Sequence, residues 1–464
     1  SLNECIVSQD IRMADFIKLF KKGKRNSVGN YRPVSLTSQI GKLMEKSIRK
    51  ALVRYLEEHN LISPDQHGFV SGRSCLTNLL ESLEEWTEWL DEGGAVDVIY
   101  LDYRKAFDSV PHRRLLHKLN KYGISGQVWT WIRSFLIDRT QRVRINGTFS
   151  NLVSVRSGVP QGSVLGPSLF LLYVNDIPDL LTGSKCKMFA DDTKIYRKIV
   201  GNADAQYLQE DLDRLLEWSS SWLLNFNAEK CKVLHLGSSN TKSVYKMSNV
   251  TNLEVTSSEK DVGVWIHESM KPSLQCSNAA KKGMRALALA KRSFDLSDKK
   301  SFIRMYTTYI RPHLEYCVQA WSPHLQKDID ILEKVQRRAT KCVPCLRSLP
   351  YEERLRRLDL YSLDKRRVRG DLIEVYKIIT GIEKINKDNF FQLHSNRDTR
   401  GHQYKLFKPR CRTTIRQKFF SQRVVEEWNR LPPEVVSARG TIAFKKALDL
   451  HWRNGYGFTD RPAA

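Results

Sequence analysis

Lys187-Met188-Phe189-Ala190-Asp191-Asp192-Thr193-Lys194-Ile195-Tyr196 is the stretch on which the reading of this chain turns. Two short, mostly apolar runs flank a pair of aspartates, a pattern that predicts strand, tight turn and strand with both carboxylates at the tip. Adjacent carboxylates repel one another, so a buried hairpin carrying both is easiest to understand when a cation sits between them. A solvated turn is the plain alternative, and the apolar run on each side counts against it. A third carboxylate stands 89 positions upstream. Ala95-Val96-Asp97-Val98-Ile99-Tyr100-Leu101 is short, β-rich and mostly apolar, as expected of a strand buried on both faces, and it runs straight into Asp102.

Around these strands the apolar spacing predicts helices over 40–56, 74–91, 112–122, 125–138 and 204–223. In the first, Ile40, Leu43, Met44, Ile48, Leu52 and Leu56 define the apolar side. Asn146-Gly147 after Arg142-Val143-Arg144-Ile145 signals a hairpin, and short strands are expected at 231–236 and 261–266. From about residue 273 the chain turns basic and helical, with helices expected over 273–294, 299–310, 327–341 and 351–377. No low-complexity tract or internal repeat is evident.

At 464 residues, 41% hydrophobic and 10% aromatic, the chain has the material for several folded units. A charged fraction of 27% and a mean hydropathy of -0.45 are those of a soluble globular protein. No apolar run approaches the roughly 18 to 20 residues of a spanning helix, and no signal-peptide core opens the chain. It starts at Ser1, so a piece of a longer product is expected. Nine cysteines, an odd number spread thinly, do not form a secreted disulfide framework. Cys342 and Cys345 make one close pair, but without a second pair zinc is the weaker reading and buried thiols the stronger. The charge is lopsided. Residues 281–464 hold 40 of the 76 Lys and Arg but only 20 of the 51 Asp and Glu, a net charge of +20 that leaves +5 for residues 1–280. Such a surface attracts a polyanion, because each phosphate it neutralises releases a condensed counterion.

The motifs fall in a familiar order. Leu101-Asp102-Tyr103-Arg104-Lys105-Ala106-Phe107-Asp108, the loop Ser157-Gly158-Val159-Pro160-Gln161-Gly162-Ser163-Val164-Leu165-Gly166-Pro167, and Phe189-Ala190-Asp191-Asp192 resemble three palm motifs of reverse transcriptases. The flavour is that of non-LTR (LINE-like) retrotransposons, the chicken-repeat and jockey-like groups in particular. Tyr31 to Leu36, Gln66-His67-Gly68-Phe69 and Gly72-Arg73-Ser74 resemble the family's fingers motifs. Lys230-Cys231-Lys232 and Asp261-Val262-Gly263-Val264 resemble its later palm motifs, and Arg311 to Tyr316 and Gln336 to Thr340 carry the resemblance towards the C-terminus.

The resemblance implies an α+β right-hand polymerase of fingers, palm with a small antiparallel sheet, and thumb, followed by a basic, mainly helical C-terminal extension. The expected division is 1–94 for the N-terminal segment and fingers, 95–245 for the palm (with 112–156 partly fingers), 246–298 for the end of the palm and the thumb, and 299–464 for the extension. The reverse transcriptase domain itself would span about residues 15–270. The implied activity is RNA-directed DNA synthesis from a DNA 3′ end, on template RNA with primer or target DNA and deoxynucleoside triphosphates. Two Mg2+ ions, with Mn2+ a possible substitute, would hold attacking and leaving oxygens in line. Asp102, Asp191 and Asp192 would be the catalytic metal ligands, joined by the main-chain carbonyl of Tyr103. Arg32, Arg73, Phe107, Gln161, Gly162 and Lys230 would contact the nucleotide, Phe107 as the gate against a ribose 2′-hydroxyl. Lys281, Lys282, Arg285, Lys291 and Arg292, on one helix whose other side is Met284, Leu287, Ala288 and Leu289, would follow the nucleic-acid backbone. Location in nucleus and cytoplasm as an element ribonucleoprotein follows from the same likeness, with no membrane partner.

Departures from the family pattern are also visible. The apolar-Trp segment usual before the first fingers motif lacks its Trp at Gln9 to Asp15, and the endonuclease that relatives carry upstream is not in this sequence. A group II intron or retron-type polymerase is the rival enzyme, and a domesticated, inactive RNA-binding scaffold the rival of another class. The intact aspartates argue against the scaffold.

Overall fold

The computed structural model describes residues 7–21, 23–27, 30–248, 251–394 and 401–453; within strand 31–36 the side chains of Arg32 and Pro33 lie outside the described set. The strands that frame the site are β1 (Met13–Phe20), β2 (Tyr31–Leu36), β3 (Ala95–Leu101), β4 (Thr140–Ile145), β5 (Lys185–Phe189), β6 (Asp192–Ile199) and β7 (Lys232–Leu236). The helices are α1 (Gln39–Glu58), α2 (Cys75–Asp91), α3 (Gly166–Val174), α4 (Asn202–Trp222) and α5 (Ser273–Ser293).

β3 lies inside a central sheet of order Glu254–Val255, β7, β3, β6, β5, and it is antiparallel to both of its neighbours. Its side chains alternate between two cores, as the period of a strand requires. Val96 and Val98 join Leu79, Leu83 and Trp86 of α2 on one face, while Ile99 and Leu101 join Leu208, Leu212 and Leu215 of α4 on the other. Burial on both faces explains the almost unbroken apolar run. The exception is Asp97, 0% exposed, whose carboxylate accepts from His235 Nδ1 at 2.6 Å, Asn240 Nδ2 at 2.7 Å and Tyr245 Oη at 2.5 Å. A buried carboxylate needs such a set of donors, and here they pin β3 to β7 and the loop beyond it.

α2 begins where the sequence supplies a reciprocal cap, the Ser74 hydroxyl accepting from Thr77 N–H and the Thr77 hydroxyl accepting from Ser74 N–H. It ends before Gly93, whose φ of +90 takes the chain into β3. The face of α2 that meets the sheet continues into a core running through Phe302, Tyr306, Leu372, Trp428 and Phe444. The C-terminal helices therefore share apolar packing with the central sheet, and residue 299 marks no gap in it.

Several expectations are corrected. A second sheet, in which β1 pairs antiparallel with β2 and parallel with β4, was not foreseen over residues 13–36. Ile17, Leu19, Phe20, Val143 and Ile145 are exposed on it, so no inward alternation marks it in the sequence. On α1, Ile40 and Leu43 are 70% and 64% exposed, and the buried side is Gly41, Glu45, Ile48, Leu52 and Leu56. Residues 258–267 form a hairpin (Ser258–Asp261 and Val264–His267) with Val262-Gly263 at its turn, not a single strand over 261–266. The helix expected over 351–377 is two, Tyr351–Leu358 and Leu363–Ile379, because Asp359 enters the left-handed region at φ +49 and Ser362 caps a new start. On α5 the buried side is Cys276, Ala279, Ala280, Gly283, Leu287 and Ala290, with Ala288 and Leu289 outside. Small residues let this helix approach its neighbours closely: a Cβ on Gly283 would stand 3.0 Å from Leu314.

Candidate active site

The hairpin forms with Phe189 opposite Asp192, so Ala190 and Asp191 make its two-residue tip. On the other side of β6, Leu101 pairs with Thr193. Continuing that register by one step sets Asp102 opposite Asp192, a separation of about 5 Å between backbones in an antiparallel pair. Residues 90 positions apart in the chain thus meet at one end of one sheet. The crowding of charge is felt at Asp192, whose carboxyl is pushed up to about 6 by burial and then by Asp191, Asp261 and Asp102, with Lys194 opposing. Lys194 itself is occupied, paired at 2.5 Å with the buried Asp261.

Past Asp102 the chain makes one bridge to the segment before β7. Arg104 N–H donates to the Asn225 carbonyl at 2.8 Å and Asn227 N–H to the Asp102 carbonyl at 2.7 Å. In that pattern Tyr103 and Phe226 form a non-hydrogen-bonded pair, so the carbonyl of Tyr103 points away from Phe226 while its ring stacks on Phe226 at 4.6 Å. Asp102 also holds the Lys230 ammonium, 2.9 Å away. Among the described residues no three His, Cys, Asp or Glu side chains already converge on a single metal position. The donor set nevertheless fits a hard divalent cation: three carboxylates in mutual repulsion and a main-chain carbonyl. The one soft group beside them, Cys231, 3.4 Å from the Asp102 N–H, is kept a thiol by burial that pushes it up to about 11.

Asp102 and Asp191 open onto a cleft of about 1600 Å3. One wall is the loop from Ser157 to Gly166, which fits between the turn after β3 and strand β2. Val159 N–H donates to Phe107 O at 2.7 Å, Gly158 N–H to Val110 O at 2.8 Å, and Ser35 N–H of β2 to Gln161 O at 2.9 Å. Two glycines allow the fit. A Cβ on Gly158 (φ +94) would lie 2.8 Å from Asp108 Cα, and one on Gly162 (φ +114) 2.6 Å from the Ser35 carbonyl oxygen. Phe107 is half-buried at the cleft, stacked on Phe170 of α3 at 4.4 Å. Against this acidic floor, Lys18, Lys21, Arg25, Arg104, Lys105 and Lys230 line the same cleft.

Residues 20–271 match the reverse transcriptase (RNA-dependent DNA polymerase) family, more than half of the chain. This chain is a member of that family. It is 27% identical over 357 residues to a probable RNA-directed DNA polymerase from transposon BS of Drosophila melanogaster, covering 72% of this chain and 38% of that protein. It is 30% identical over 335 residues to the RNA-directed DNA polymerase from mobile element jockey of Drosophila funebris, covering 68% of this chain and 36% of that one. The chain thus spans under two-fifths of the length of these relatives. Among solved structures it is similar to apo telomerase from Candida tropicalis, with TM-score 0.45, 11% identity, and 74% of this chain and 58% of that chain covered.

Within this reverse transcriptase fold the nucleotide-binding candidates part company. Phe107, Gln161, Gly162 and Lys230 line the cleft, and Gln161 Nε2 donates to Asp108 Oδ1 at 3.2 Å. Arg32 is on β2 opposite Leu19, but its side chain lies outside the described residues. Arg73 is not brought there. Its guanidinium donates to the carbonyls of Ser63, Gln66 and Lys384 at 3.0, 2.8 and 3.2 Å, so it clasps the loop before α2 to the loop that follows the helix Leu363–Ile379. The Gln66-His67-Gly68 motif, expected in the fingers, lies instead against β5, with Gln66 beside Met188. Lys281, Lys282, Arg285, Lys291 and Arg292 are all exposed on α5.

Three groups at the site were not anticipated. Glu45 of α1, 1% exposed, accepts from Val164 and Leu165 N–H at 2.6 and 2.9 Å and so anchors the glycine loop where it enters α3. Asp108 orients Gln161. Lys18, Lys21 and Arg25 replace Arg73 as cleft cations; the basic run Lys21-Lys22-Gly23-Lys24-Arg25 was the available signal.

Proposed function

We propose that this chain extends a DNA 3′ end along an RNA template, as the polymerase unit of a non-LTR retrotransposon. The observation that carries the reading is the register of β3, β6 and β5, which brings Asp102, Asp191 and Asp192 to one end of the sheet, with Asp102 and Asp191 on a cleft that basic side chains also line. Asp102, Asp191, Asp192 and the Tyr103 carbonyl would hold two Mg2+ ions, for which Mn2+ could substitute, and those ions when bound supply the positive charge that offsets the attacking and leaving oxygens. The remaining work falls to the chain. Lys18, Lys21 and Arg25 receive the triphosphate, since clustered cations raise the local concentration of a polyanion. The glycine loop brings its main chain under the new base pair, steadied by Glu45 and by the Asp108–Gln161 contact. Lys230, at the cleft rim, holds a proton that it can pass to the departing pyrophosphate. The exposed face of α5 follows the template–primer backbone through charge and shape, without reading bases.

Primer extension on an RNA template with deoxynucleoside triphosphates and Mg2+ tests the reading. Templated synthesis is expected, and its absence from well-folded protein would leave the scaffold reading standing. Phe107→Ala should relax sugar selection. With its ring fixed on Phe170, Phe107 cannot retreat from a 2′-hydroxyl, so truncation should lower discrimination against ribonucleotides at least tenfold, roughly the scale of steric selection in a pocket. Competition between ribo- and deoxynucleotides measures it, and unchanged selectivity removes the gate from Phe107. Gly162→Ala should raise the KM for nucleotide about tenfold or more, because the added Cβ meets the Ser35 carbonyl at a φ that alanine avoids. Steady-state kinetics indistinguishable from wild type would show that the loop has room to spare.

A further inference from the structure

Gln66 is 0% exposed, and its side-chain oxygen accepts two main-chain N–H groups, Gly68 at 2.8 Å and Ala190 at 2.9 Å. Ala190 is the residue immediately before Asp191, and it is held at φ +58, a region that alanine rarely enters. The two neighbours of Oε1 are both donors, so the amide must present its oxygen there. Its Nε2 is buried and makes no hydrogen bond among the described residues. The amide keeps its oxygen contacts at the expense of its own nitrogen.

The surroundings make Gln66 a fixed point. Met188 N–H donates to the Asp65 carbonyl at 2.9 Å and His67 N–H to the Met188 carbonyl at 2.8 Å, so residues 65–67 run alongside β5 as an extra edge of the central sheet. Asn78 Nδ2 of α2 adds a bond to the Met188 carbonyl at 3.1 Å. Beside it, Lys187 bridges Asp65 at 2.8 Å and Glu81 at 2.9 Å, and Glu81 meets His67 at 3.0 Å. Gly68 leaves the necessary space: a Cβ there would stand 2.4 Å from Ala190 N. The whole motif thus supports the hairpin tip from behind and stays out of the cleft.

We propose that Gln66 is a positioning residue for Asp191: by binding the Ala190 N–H it fixes the left-handed turn and with it the direction in which the Asp191 carboxylate faces Asp102. This rests on the reading of Asp191 as a cation ligand. Groups behind a metal ligand orient it, and their loss costs about 10- to 100-fold in metal affinity.

The test is titration of the full chain with Mn2+, free ion being followed by electron paramagnetic resonance, for wild type, Asp191→Asn, Gln66→Met, Gln66→Asn and Gln66→Glu, with melting curves for each. Gln66→Met removes the acceptor and Gln66→Asn withdraws it by one methylene; each should weaken Mn2+ binding about tenfold or more. Turnover in primer extension should fall in parallel while the KM for nucleotide moves less than about twofold, since the nucleotide contacts are untouched. Gln66→Glu retains an oxygen at the same place and should bind Mn2+ within about threefold of wild type. Wild-type affinity in folded Gln66→Met or Gln66→Asn overturns the proposal. So does a folded Gln66→Glu as weak as Gln66→Met. If wild type shows no Mn2+ site that Asp191→Asn removes, the cation-ligand reading of Asp191 fails first and takes this role for Gln66 with it.

Discussion

Asp191→Asn is expected to abolish RNA-templated synthesis, with a fall of at least about a thousandfold, since charge stabilisation of this kind is worth several kcal/mol and each 1.4 kcal/mol is a factor of ten. The change is nearly isosteric. It leaves the β5–β6 turn and its bond to Gln66 in place and removes one negative charge from beside Asp192, whose carboxyl is pushed up to about 6 by burial and then by Asp191 and its neighbours. Taking a charge out of a group of mutually repelling carboxylates should not weaken the fold, so the melting temperature in chelator should not fall more than about 2 °C below wild type. Single-turnover primer extension and thermal melting together decide the matter. Synthesis within tenfold of wild type would separate the aspartates from the chemistry. A collapse in melting temperature would make the charge structural.

Arg416→Ala should be the most destabilising single change away from the cleft. Arg416 is 9% exposed by side chain and reaches from the C-terminal helices to α2. There Nη2 meets Glu84 Oε1 at 2.5 Å and Nη1 donates to the Glu84 carbonyl and to Thr87 Oγ1 at 3.2 and 3.1 Å. Ser421 Oγ donates to the same carboxylate at 3.0 Å. Removing one partner of a buried pair leaves an uncompensated charge, which costs about 3–5 kcal/mol. The cost should depend on pH. Burial pushes Glu84 up to about 7 even with Arg416 and Ser421 opposing, so the folded protein holds a proton that the unfolded chain releases above its ordinary value near 4.5. Stability from this group therefore falls as pH rises from about 4.5 to 7. Without Arg416 the carboxyl rises further and the loss continues over a wider range. The deficit of Arg416→Ala should be smallest near pH 5 and clearly larger at pH 8. Denaturant unfolding at both values measures it; a deficit under about 1 kcal/mol, or one independent of pH, would show that the pair contributes little.

The two arginines illustrate what sequence conveys and what it does not. Arg73 sits in a motif and suggested phosphate contact; Arg416 sits in none and suggested nothing. In the folded chain both join the C-terminal region to the loop before α2 or to α2 itself, through partners more than 300 residues away. No local pattern encodes such a partner. The same limit hid the sheet of β1, β2 and β4, whose parallel pair joins Met13 to Thr140 and whose apolar residues face outwards. It also misdirected the apolar side of α1, where Glu45 is buried because it holds two N–H groups at the start of α3 and Ile40 is not buried at all.

What the sequence determined by itself is local and periodic. The run from Ala95 to Leu101 had to be a strand covered on both sides, a turn had to fall at the Asp191-Asp192 pair (the structure sets its tip one residue earlier, at Ala190-Asp191), and the helices around them followed from spacing, because each rests on side chains a few positions apart. The order of the motifs also carried the family. Tertiary structure decided which of these pieces became neighbours: that Asp102 stands opposite Asp192, that Gln66 grips the turn from behind, and that cations on and just after β1, rather than Arg73, face the cleft. Those pairings join residues tens to hundreds of positions apart, and they exist only once two hydrophobic cores have closed on either face of one sheet.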